Sequence, residues 1–113
     1  MGGVSNSSDI NRKNGIIPIN ELSILEKVSK LELSEWSYKE ESTRHLGPMA
    51  QDFYKAFGLG KNEKTIGTLD ADGVALASIQ ALYQLWQDEK EVNREQNDLI
   101  QSLLTRFDKL ENK

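Results

Sequence analysis

Ser8 stands five residues ahead of Lys13 in the stretch SNSSDINRKNG (5–15). A serine hydroxyl is a weak nucleophile until a base takes its proton, and a neutral lysine amine can be that base. Such a lysine must titrate well below its ordinary value of about 10.4, through burial or a neighbouring cation. Arg12 is a cation next to it in the chain. Two readings follow. One is a self-cleaving site. The other is a solvated polar tail, which the small polar residues of 1–15 suit equally well.

Three regions must position these residues: an extended N-terminal segment (1–15), a small α+β core (16–73) and a long helix (74–113). In GIIPI (15–19), Pro18 imposes an extended shape, and the apolar residues predict an edge segment lying against the domain. Asn20 is a plausible N-cap, and Leu22, Ile24, Leu25, Val28 and Leu31 recur at helical spacing, so a helix is expected over about 21–31. Trp36 and Tyr38 alternate with polar residues in 33–40, the period of a half-buried strand. RHLGPMAQDFYKAFGLG (44–60) predicts a helix with Pro48 in its first turn, Met49, Phe53 and Phe57 on one face, and Gly58 and Gly60 at its exit. TIGTL (65–69) predicts a second strand, ended by a DADG turn (70–73). That turn resembles part of a calcium loop, but the other ligand positions are missing, so no metal site is expected. No cofactor is implied either.

From Val74 to the end there is no Gly or Pro. A helix over 74–111 would be roughly 55 Å long, too long for so small a domain to cover. Ile79, Leu82, Trp86, Glu89, Asn93, Gln96, Ile100, Leu103, Phe107 and Leu110 follow the alternating three–four spacing of a coiled-coil seam. Leu85, Val92 and Leu99 widen it, which favours three chains over two. The expected architecture is therefore α+β: short helices, a minimal antiparallel sheet, and a long C-terminal helix in a trimeric bundle or coiled coil.

Composition narrows the partners. The net charge is −4, and residues 87–113 hold seven acidic and five basic residues, which argues against nucleic acid or an anionic membrane. No apolar run reaches the roughly 18 residues of a membrane span. The opening MGGVSNSSD has neither the basic region nor the apolar stretch of a signal peptide. Without cysteine, disulfide and thiol chemistry are excluded.

Three blocks of the chain resemble one family. SDINRKNGIIPI (8–19) is similar to its Ser-Asp opening, basic patch and Ile-x-Pro segment. WSYKEESTRHLGPMAQDFYKAF (36–57) is similar to its aromatic strand, Arg-His-x-Gly corner and Ala-Gln helix. LDADGVALASIQALYQLW (69–86) is similar to its Asp-Gly turn and terminal helix. The family is the C-terminal intramolecular chaperone domain of phage endosialidases, tail spikes and tail fibres, a self-cleaving domain also found in myelin regulatory factor.

The resemblance implies a homotrimer at the end of an upstream fibre or spike segment of the same polypeptide. It implies a virion-associated precursor in the infected bacterial cytoplasm, from which the domain is released by cleavage between Ser7 and Ser8. Ser8 would be the nucleophile and Lys13 the base. On residue type, Asp9 is placed either to fix the turn by accepting backbone N–H groups or to stand in solvent. His45 is placed either to donate to the attacked carbonyl or to hold the backbone, and Arg44 to pair with a carboxylate across a chain interface. The chain departs from the family pattern at Asn11 and Arg12, where Arg and Leu are usual. Both changes point toward weaker cleavage on an unchanged fold. The rival reading is a trimerisation or attachment module without catalysis that stays on the fibre.

Overall fold

The computed structural model describes residues 5–112. Residues 1–4 of the expected N-terminal segment and Lys113 of the expected long helix lie outside the described residues. The chain divides into two compact units, Met1–Ile79 and Gln80–Lys113.

The first unit is a small α+β assembly. Helix α1 covers Glu21–Lys30. Asn20 caps it by accepting from the Ser23 backbone N–H at 3.0 Å, with Glu21 in the first turn and Lys27 and Lys30 in the last, as the helix dipole favours. Ile24, Leu25, Val28 and Leu31 are half-buried, and α1 packs on α2 (Ala50–Phe57). Of the face expected for α2, Phe53 is buried with its ring centroid 4.9 Å from that of half-buried Phe57, whereas Met49 is exposed at the N-cap, outside the helix. Gly58 ends the helix at φ +62°, and its N–H reaches the Tyr54 carbonyl at 2.7 Å.

Strands β1 (Ser34–Trp36) and β2 (His45–Gly47) pair antiparallel, with Ser34 opposite Gly47, Glu35 opposite Leu46 and Trp36 opposite His45. The strand expected over 33–40 is thus shorter, and the helix expected from 44 starts only at Ala50. Pro48 disfavours helical backbone at the preceding Gly47, so 45–47 stay extended and join the sheet. Pro48 lies just before the N-cap Met49 rather than in the first turn.

Two further expectations are corrected. Ile16, Ile17 and Ile19 are exposed, so GIIPI does not lie against the domain of a single chain. Pro18 lacks the N–H that pairing with a strand would use. Residues 65–69 form no strand, because helix α3 covers Thr68–Glu111 and takes DADG into its first turns. Asp70 sits in the first turn, where its charge suits the free N–H groups, and the long run of helix formers outweighs the roughly 1 kcal/mol that Gly73 costs relative to Ala. Val74, Ala77 and Ser78 are buried, and the Ser78 hydroxyl donates to the Val74 carbonyl at 2.9 Å.

In the second unit α3 continues unbroken. From Leu82 onward every large apolar side chain of α3 among the described residues is exposed, including Trp86, Ile100, Leu103, Phe107 and Leu110. The polar side chains pair locally. Gln84 donates to Asp88 at 3.1 Å, Lys90 sits 4.3 Å over the Trp86 ring, and Arg94 binds Glu91. The hydrogen bond from Arg94, and secondarily its charge, hold the Glu91 carboxyl below the usual range. No helix of the described residues is long and apolar enough to cross a membrane.

Candidate functional site

The site is built on a single 3-10 turn, Ile10–Arg12. Asp9 caps it, its Oδ1 accepting from the Asn11 backbone N–H at 3.0 Å and from Asn11 Nδ2 at 3.1 Å. The Arg12 N–H reaches the Asp9 carbonyl at 3.0 Å and the Lys13 N–H the Ile10 carbonyl at 3.2 Å. The tightened chain brings the residues flanking the turn together. Lys13 Nζ donates to Ser8 Oγ at 2.7 Å. For nucleophilic chemistry the same contact must run in reverse, the hydroxyl donating to an unprotonated amine.

Both Ser8 and Lys13 are exposed in the single chain, as are Ser7, Arg12 and Asn11. The low-dielectric surroundings that favour a neutral amine are therefore not supplied by this chain alone. Asn11, one of the two departures from the family pattern, is a structural member of the turn through its two bonds to Asp9. Arg12 makes no side-chain hydrogen bond or ion pair among the described residues.

Arg44 and His45 serve the sheet. Arg44 Nε meets Glu35 Oε1 at 3.2 Å and its terminal nitrogen donates to the Glu35 carbonyl at 3.2 Å, both within the one chain. The His45 ring lies among aromatics, 5.0 Å from Trp36 and 5.4 Å from Tyr38 between centroids, and those two rings meet edge to face at 4.9 Å. Among the described residues no hydrogen bond joins Arg44 or His45 to Ser8 or Lys13. Sequence reasoning missed Glu35 as the partner of Arg44. The signal available was the hairpin register, which sets Trp36 opposite His45 and so places Glu35 and Arg44 close by.

An open groove between α1 and α2, lined by Lys27, Lys30, Leu31, Glu32, Asp52, Lys55 and Ala56, holds no pairing suited to covalent chemistry. The N-terminal turn is the place in the described chain where a nucleophile and a potential base are in hydrogen-bond contact.

The described chain joins a small α+β unit that carries the serine–lysine contact to a long helix whose large apolar side chains are exposed from Leu82 onward. Residues 8–58 match the family model for the chaperone of endosialidase, which supports an intramolecular chaperone domain in this segment. The match begins at Ser8 and ends at Gly58, the residue that closes α2. No curated protein matches the chain.

Proposed function

We propose that this chain is a C-terminal chaperone that trimerises through α3, assists folding of an upstream fibre or spike segment of its own polypeptide, and then frees itself by serine–lysine cleavage between Ser7 and Ser8. The observation carrying the reading is the 2.7 Å contact between Lys13 Nζ and Ser8 Oγ. In the reaction, Lys13 takes the hydroxyl proton as Ser8 Oγ adds to the Ser7 carbonyl carbon. Collapse expels the Ser8 amino group, which receives the proton, and leaves an ester between Ser7 and Ser8. Water then releases a Ser7 carboxylate and a free Ser8 hydroxyl.

Holding three chain ends together makes the pairing of upstream segments effectively intramolecular, which favours a fibre whose contacts are distant in sequence. The exposed apolar seam of α3 supports self-association, and on this reading burial between chains would complete the dyad that one chain leaves exposed. The precursor would be virion-associated, made in the infected bacterial cytoplasm, and the released domain would leave the mature fibre.

The test is a time course of a chain extended upstream of Ser7, followed on a denaturing gel with mass spectrometry of the fragments. Wild type should yield a fragment beginning at Ser8, and Ser8→Ala and Lys13→Ala should each remain whole. Intact wild type, assembled as a trimer, would support the rival: a trimerisation or attachment module that stays on the fibre. The solvent exposure of the dyad is the observation in that rival's favour.

A further inference from the structure

We propose that Glu89 makes the self-association of α3 proton-dependent, so that copies hold one another more tightly in mild acid than at neutral pH. This rests on the reading that α3 pairs with copies of itself. Glu89 occupies a seam position between Trp86 and Asn93. Its helical neighbours three and four residues away are Leu85, Trp86, Val92 and Asn93, and none carries a positive charge. The two nearest cations along the helix are engaged elsewhere: Lys90 lies 4.3 Å over the Trp86 ring, and Arg94 binds Glu91. Glu89 itself has no side-chain hydrogen bond or ion pair among the described residues.

When in-register copies cover the stripe, the groups brought to each Glu89 are the Glu89 carboxylates of the other copies and, at the margin, their Lys90 side chains. Asp88, Glu91, Arg94 and Glu95 fall on positions away from the seam. A carboxylate that loses water beside like charges is disfavoured in its ionised form. The assembly therefore binds protons that the separate chains do not. By linkage, association tightens as pH falls and weakens as pH rises.

The experiment is sedimentation equilibrium of the 113-residue chain and its variants at about pH 5 and about pH 8. Wild type should associate at least about tenfold more tightly at the lower pH, and Glu89→Gln should match that tighter value at both. Glu95→Gln, which removes the same charge away from the seam, should keep the wild-type response. His45, the single histidine, is present in all these chains, so its protonation cancels from the comparison. An equal pH response in wild type and Glu89→Gln overturns the proposal, as does weaker association of Glu89→Gln at the higher pH. If even Glu89→Leu, with its apolar stripe completed, stays monomeric at both pH values, self-association itself fails and the proposal falls with it.

Discussion

Ser8 and Lys13 owe their contact to a turn of three residues, and the turn owes its shape to Asp9. The carboxylate accepts two hydrogen bonds from Asn11, so removing it leaves both donors to water. Loss of such a cap costs about 1 kcal/mol, or about fivefold in the population of the turn. Asp9→Ala should therefore slow the appearance of the Ser8 fragment by up to about fivefold, with Asp9→Asn intermediate, as read by the gel time course. Trp36 offers a second test. Its ring packs with Tyr38 and His45, yet its indole N–H is buried without a partner among the described residues. An unsatisfied buried donor costs about 1–3 kcal/mol. Trp36→Phe keeps an aromatic ring and removes the donor, so it should leave thermal stability within about 1 kcal/mol of wild type, whereas Trp36→Ala should lose about 3 kcal/mol. Ser8 and Lys13 were legible as a possible pair from residue type and spacing. The 3-10 turn was not, because three residues carry no periodicity, and the Asp9–Asn11 bonds that shape it are side-chain geometry.

Elements with strong local signals are where they were expected. Helix α1 begins at the Asn20 cap, α2 ends at Gly58, and the long helix persists through the Gly- and Pro-free run after Val74. The failures lie where two local signals competed. Pro48 is compatible with a first helical turn, yet it also keeps Gly47 extended, and pairing of Trp36 with His45 decided the outcome. TIGTL has strand-like residues, but a five-residue run has no partner to hydrogen-bond, while Thr68 and Leu69 gain the bonds of a 44-residue helix. Glu40, in the connection between β1 and β2, is the one non-glycine residue at positive φ among the described residues, at +72°. The Glu41 N–H closes the bend onto the Tyr38 carbonyl at 3.1 Å. A side chain in this left-handed region costs roughly 1 kcal/mol that glycine avoids. Glu40→Gly should thus melt no lower than wild type, while the β-branched Glu40→Val should melt lower, as followed by circular dichroism.

At the scale of the molecule, each unit taken alone leaves large apolar side chains in water: Ile16, Ile17 and Ile19 in the first, and Trp86, Leu103 and Phe107 in the second. Few side chains are buried in return. A chain in this condition gains stability from whatever covers it, and if the cover is other copies, the gain follows mass action. The thermal midpoint should then rise with protein concentration, and a single chain's midpoint would not. Replacing Leu103 with Asp puts a charge into the middle of the seam without touching Met1–Ile79, the unit that carries Ser8 and Lys13. Leu103→Asp should abolish the concentration dependence and reduce the mass in light scattering to that of one chain. If copies of the chain supply the burial that the dyad lacks, the same variant, extended upstream, should also stop cutting although Ser8 and Lys13 are untouched. A Leu103→Asp chain that is monomeric yet still cuts at the wild-type rate would separate the chemistry from assembly, and the turn would then have to work in the open, where one chain already holds it.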